Sequence, residues 1–180
     1  MSFIFRNNKL SVQNKIFRIL WTITWTVFFR PTPRSFHSWR SFLLRLFGAK
    51  IGRYVHPYPS AKVWAPWNLE MGDYSCLSEA VDCYCVDKII IGERAIVSQY
   101  SFLCTASHDY NLKNHSMQLI TAPIIIGSDA WITSDVFIAP GVVIGKGAVV
   151  LARSSVFNDI PEWTISKGSP AKPFKDRDKF

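Results

Sequence analysis

The sequence predicts an all-β solenoid, a parallel β-helix of six-residue repeats, preceded by a helical segment. Three observations predict it. An aliphatic residue followed by glycine recurs at Ile51-Gly52, Met71-Gly72, Ile91-Gly92, Ile126-Gly127 and Ile144-Gly145. Six-residue steps run without a slip from Ile126 through Ile132, Ile138, Ile144 and Val150 to Val156. Residues 51–68, 71–88, 91–108, 126–143 and 144–161 are blocks of 18, or three hexapeptides each.

A coil with three flat faces explains this period. Each face needs a short strand and a tight turn. One aliphatic side chain per face points inward and stacks on its equivalent one coil away. A small or turn-forming residue follows, where the backbone bends. One coil cannot bury its own apolar stack, so coils must pile up. Helix is excluded because a six-residue period does not keep one face of a 3.6-residue helix together.

The blocks divide the chain. Residues 1–50 are a helical, amphipathic segment, 51–161 the β-helix with a loop insertion at 109–125, and 162–180 a C-terminal extension. Pro57 stands where the repeat asks for an aliphatic residue, and Leu69-Glu70 and Ile89-Ile90 are two-residue insertions between blocks.

Within 1–50, Ile16 to Phe29 is an apolar stretch of 14 residues carrying Arg18, shorter than the roughly 20 residues of a spanning helix. A second helix is expected after Thr32 as N-cap and Pro33 as first helical residue. Phe36, Trp39, Leu43, Leu46 and Phe47 recur at helical spacing, Gly48 suits the stop, and Arg34, Arg40 and Arg45 fall among the remaining positions. Two readings stay open. Either the segment packs on the rest of the protein or a partner subunit, or it is an interfacial anchor at an anionic membrane surface.

The net charge of +8 over 180 residues suits an anionic partner such as a phosphorylated cofactor or a membrane. No nucleic-acid motif accompanies it, so nucleic acid is not expected. Cys76, Cys83, Cys85 and Cys104 form no C-x-x-C pair and read as small thiols in a reducing, cytoplasmic setting.

The repeats, with the stretches APWNLEMGDYS, LCTASHDYNL, PIIIGSDAWITSDVFIAPGVVIGKGAVVLARSSV and GSPAK, resemble the hexapeptide-repeat acyltransferases. Within that family the chain is most similar to sugar O-acetyltransferases of the colanic acid biosynthesis group. The resemblance covers residue 51 to about 175. It implies a left-handed β-helix, acetyl-CoA as donor, no metal, and a homotrimer with active sites between neighbouring subunits. It also implies a sugar or lipid-linked glycan acceptor from bacterial surface polysaccharide synthesis.

Acetyl transfer to a hydroxyl needs a base, an oxyanion donor and a slot for the CoA chain. His108 ends the third block, beside the insertion, and histidine is the side-chain type suited to proton transfer near neutrality. The resemblance makes it the catalytic base. Asp109 follows as a candidate to orient or charge-balance it, or simply to start the turn. His115 reads as a surface or substrate-loop residue. For the donor, the resemblance points to Trp131 near the acyl end, Ser134 near the thioester, Ala152 beside the pantetheine arm, and Lys172 and Lys175 at the phosphates. Lys146, Arg153 and Lys167 are looser candidates. Many relatives read Thr-Lys-Asp after the last in-register valine. Here Phe157-Asn158-Asp159 removes a hydroxyl and a cation expected near the cofactor.

Other functions compete. A γ-class carbonic anhydrase shares the fold but needs three histidine ligands, whereas His108 and His115 stand seven apart with no third histidine nearby. An N-acetyltransferase of an amino or nucleotide sugar would use the same base. A non-catalytic β-helix binding protein is the remaining class.

Overall fold

The structure, a computed structural model, describes residues 6–7, 11–110 and 117–179. The backbone from Lys50 winds as a parallel β-solenoid of about six turns. Its first face stacks Lys50–Ile51, Leu69–Met71, Ile89–Ile91, Ile124–Ile126 and Val143–Ile144. The second stacks His56–Pro57, Cys76–Leu77, Ile96–Val97, Trp131–Ile132, Val149–Val150 and Thr164–Gly168. The third stacks Lys62–Val63, Asp82–Tyr84, Phe102–Cys104, Phe137–Ile138 and Ser155–Val156.

The register joins like to like. Met71 pairs with Ile91, Ile91 with Ile126, and Ile126 with Ile144 along the first face. Leu77, Val97, Ile132 and Val150 follow one another on the second, and Cys83, Leu103, Ile138 and Val156 on the third. All these side chains are buried and form one continuous core. Pro57 keeps its place in the stack and is buried too, opposite Leu77.

The reason for the repeat glycines differs from the expectation. They do not carry the left-handed backbone. That conformation falls two residues later, at Tyr54, Tyr74, Arg94 and Asp129. The glycines are needed because successive coils touch there. A Cβ on Gly92 would sit 2.4 Å from the Ser128 nitrogen and 2.7 Å from the Gly127 carbonyl carbon.

Two helices close the N-terminal end of the solenoid. Helix α1 spans Val12–Thr24, capped by the Ser11 hydroxyl, and runs on as a π-helical turn over Trp25–Phe29. Trp21 and Trp25 donate their indole N–H groups to the carbonyls of Val63 and Ala61, at 2.6 and 2.9 Å. The Arg18 guanidinium lies over Trp64 at 4.2 Å. Helix α2 begins at His37 and ends at Leu46, with Gly48 at φ +88° just beyond. Thr32 is therefore not its N-cap. Instead, the Thr32 hydroxyl donates to the Phe29 carbonyl and accepts from Arg40. Arg40, which lies off the apolar stripe of the helix, is nonetheless fully buried. Its guanidinium donates to the carbonyls of Pro33, Arg34 and Pro57.

The other boundaries also shift. The stretch between the third and fourth blocks contains strand. Ala106–His108 pairs antiparallel with Leu119–Thr121, and Arg6–Asn7 from the N-terminus adds to the latter as a third strand. Ile124 and Ile125 already belong to the next coil. Regular structure also continues past 161, since Ile165 pairs in parallel with Val149 and the chain then turns back over Ala171–Asp176.

Candidate active site

His108 is the last residue of the first strand of the hairpin that leaves the corner between the third and first faces. It is exposed, and its partner across the ladder is Leu119. Its Nδ1 lies 3.2 Å from the Met117 carbonyl oxygen. A carbonyl only accepts, so Nδ1 carries the hydrogen and Nε2 is the basic nitrogen. Asp109 is held through its backbone N–H, which donates to the Gln118 carbonyl at 2.9 Å. The hairpin backbone thus fixes both residues. The sequence offered Asp109 as a group to orient or charge-balance the imidazole, or to start the turn, and held no sign of Met117. His115 lies outside the described residues.

The donor-slot candidates form a second group. Trp131 stands on the second face between Ile96 and Val149. The residue is 46% exposed, and its indole N–H donates to the Ser98 hydroxyl at 3.0 Å. Ser134 and Ala152 occupy equivalent corners, between the second and third faces, of successive coils. The Arg153 N–H donates to the Ser134 carbonyl at 3.1 Å, so these corners lie one strand spacing apart, about 4.8 Å. Ala152 is exposed, which leaves the corner open to a ligand.

Lys172 and Lys175 lie on the returning C-terminal strand, opposite Lys167 and Ile165. All three lysines are exposed. The ammonium groups of Lys167 and Lys175 sit 4.3 and 5.8 Å from the Phe174 ring centre. The Gly168 N–H donates to the Ser154 hydroxyl at 3.1 Å, which ties this cationic hairpin to the corner of Ala152. Lys146 lies on the other edge of the second face, where its carbonyl accepts from Trp163. Arg153 faces Asp135 at 3.5 Å.

The departure at 157–159 has a structural counterpart. Phe157 packs against Phe137, ring centres 5.7 Å apart, and ends an aromatic row through Phe102 and Tyr84 to Trp64. A carboxylate oxygen of Asp159 accepts from the Val143 N–H at 2.9 Å.

On one chain the two groups do not meet. His108 and Asp109 belong to the corner between the third and first faces. Trp131, Ser134, Ala152 and the lysines belong to the second face and its corner with the third. Among the described residues, no three His, Cys, Asp or Glu side chains gather as a metal site.

Electrostatics at the remaining corner is structural. Arg94 makes two hydrogen bonds to the buried Asp129 carboxylate, at 2.7 and 3.1 Å, and they hold that carboxyl below its ordinary pKa. Arg177 donates to the Asp129 and Gly147 carbonyls and fastens the end of the chain.

No family model matches the chain. Individual proteins do. A colanic acid biosynthesis acetyltransferase by name, WcaF of Escherichia coli K12, is 44% identical over 158 residues, which cover 88% of this chain and 86% of that protein. Among solved structures, a maltose O-acetyltransferase from Clostridium difficile 630 superposes with a TM-score of 0.83 at 24% identity, covering 98% of this chain and 93% of that one. The hexapeptide-repeat acetyltransferase VCA0836 from Vibrio cholerae, in complex with acetyl-CoA, gives a TM-score of 0.83 at 23% identity, covering 96% and 93%. At these identities the two structures speak for the fold, and the first relative speaks for descent. The chain belongs to the hexapeptide-repeat acetyltransferases, with the colanic acid biosynthesis acetyltransferases.

Proposed function

We propose that this acetyltransferase moves the acetyl group of acetyl-CoA to a sugar hydroxyl of a bacterial surface polysaccharide or its lipid-linked precursor. The observation that carries the mechanism is the contact between His108 Nδ1 and the Met117 carbonyl. It sets the imidazole tautomer that a base needs. His108 Nε2 takes the acceptor proton as the acceptor oxygen bonds to the acetyl carbon. The carbon–sulfur bond breaks, and His108 returns the proton to the departing sulfur, so the enzyme ends as it began. Asp109, the next residue on the same hairpin, balances the imidazolium. The Ser134 backbone N–H serves as oxyanion donor.

The donor fits the second group of residues. The open corner at Ser134 and Ala152 gives a narrow extended molecule a path along the coils. The Trp131 ring walls its acyl end. Lys172 and Lys175, supported by Lys167, present cations to the phosphates. The separation of this group from His108 supports a homotrimer in which one subunit's hairpin faces its neighbour's donor slot. No metal takes part in this scheme.

The test is acetylation of a panel of free and lipid-linked glycans with labelled acetyl-CoA. A product label released by mild alkali is the expected ester. An alkali-stable amide would mark an amino-sugar acceptor instead. CoA binding with no labelled glycan would favour a binding protein. His108→Ala is expected to keep fold and oligomer while losing about 10²–10⁴-fold in kcat. Wild-type turnover in that variant would remove His108 from the mechanism.

A further inference from the structure

Helix α1 has two apolar faces, and only one is used. Trp21, Phe17 and Trp25 turn toward the solenoid, as their contacts with Val63, Trp67 and Ala61 show. On the opposite side Val12, Ile16, Ile19, Leu20 and Ile23 form a ridge in which each residue is at least half exposed. At 100° per residue these five positions fall within a sector of about 100°, the width of a helix face that is normally buried. Val27 and Phe28 continue the apolar surface into the π-helical turn. The Phe28 carbonyl accepts from the Trp39 indole, and Trp39 stacks on the exposed Phe42 at 5.6 Å between ring centres.

Charge says what covers this ridge. The chain before Glu70 holds eleven Lys and Arg residues and not one Asp or Glu, while the rest holds ten basic and thirteen acidic residues. The net +8 of the protein therefore comes entirely from the segment that carries the ridge. Lys15 and Arg30 are exposed at its two ends, Arg34 is exposed just before α2 and Arg45 in its last turn. A second copy docking ridge to ridge would bring two segments of like charge together. An anionic lipid surface satisfies both features at once, with acyl chains for the ridge, headgroups for the cations and an interfacial depth for Trp39 and Phe42. Among the described residues, no helix is long and apolar enough to cross a membrane.

We infer that α1 and its π-helical extension lie flat on an anionic membrane surface and carry the enzyme there. This goes beyond the proposed acetyl transfer and does not depend on it.

The experiment is flotation of the full chain with two kinds of vesicle, phosphatidylcholine alone and phosphatidylcholine with roughly 30% phosphatidylglycerol. The wild type is expected to float with the anionic vesicles and at least about tenfold less with the neutral ones. Ile19→Glu combined with Ile23→Glu is expected to lose at least about tenfold in vesicle binding, with unchanged thermal unfolding and unchanged size in solution. Lys15→Glu combined with Arg30→Glu, which spares the ridge, is expected to weaken binding to anionic vesicles only. A wild type that stays unbound overturns the inference, as does equal flotation of the ridge variant. Dissociation of the ridge variant into smaller species would make the ridge a subunit contact and overturn it too.

Discussion

Gly92→Ala tests whether the repeat glycines exist for contact between coils or for bending of the chain. The added Cβ would meet the Ser128 nitrogen at 2.4 Å, the Gly127 carbonyl carbon at 2.7 Å and the Ser128 Cα at 2.8 Å. All three atoms are backbone, so no rotamer change relieves the clash. The third and fourth coils must part locally, which strains the hydrogen bond from the Gly92 N–H to the Ile126 carbonyl, now 2.7 Å. Overpacking of this kind costs about 1–3 kcal/mol, and the backbone setting puts the expectation at the upper end. The entropy an alanine removes from the unfolded chain returns about 0.4–1 kcal/mol. The net expectation is a loss of about 2 kcal/mol, or roughly 4–8 °C in Tm for a chain of this size. The paired variant is Tyr100→Gly. Tyr100 holds φ 63° at an exposed corner, where glycine relieves strain of about 1–2 kcal/mol but loosens the unfolded chain by a similar amount. Its stability should stay within about 1 kcal/mol of wild type. Calorimetric unfolding of both variants decides. A Gly92→Ala protein as stable as wild type would refute the close-contact reasoning, because nothing in the Gly92 backbone otherwise demands glycine.

Other expectations follow from single contacts. Trp21→Phe keeps most of the packed ring but leaves the Val63 carbonyl without its indole donor. A loss of about 1–3 kcal/mol is expected in denaturant unfolding. Lys172→Ala should raise the KM for acetyl-CoA by roughly three- to tenfold and leave the acceptor KM unchanged; an unchanged donor KM rejects its phosphate role. Arg94 holds the Asp129 carboxyl below its ordinary pKa. That pair therefore contributes stability above about pH 4, the unfolded value, and loses it as pH falls through the lower folded value. Asp129→Asn should accordingly flatten the acid limb of the stability curve, which pH-dependent thermal unfolding would record.

Much of this protein was legible because a repeat is a local signal. Each coil imposes the same spacing, so Ile126, Ile132 and Ile138 announce both their faces and their burial without reference to distant residues. The position of His108 at the break in the register was legible for the same reason, while its role as base came from the resemblance. The second helix was misplaced at its start, where the carbonyl partners of Arg40 include Pro57 in the first coil. Lys172 and Lys175 were proposed by resemblance, and their shared strand with Phe174 left no trace in the spacing.

By itself the sequence determined the solenoid and its three stacked faces, because periodic burial leaves a periodic trace. The tertiary structure alone decided that Met117 supplies the acceptor for His108, that Arg6–Asn7 joins the interrupting hairpin, and that α1 keeps one apolar face for the core and presents another outward. It also decided that His108 and the donor-slot candidates sit on different corners of one prism. Those contacts join residues far apart in the chain, and a single aperiodic contact leaves no spacing to read.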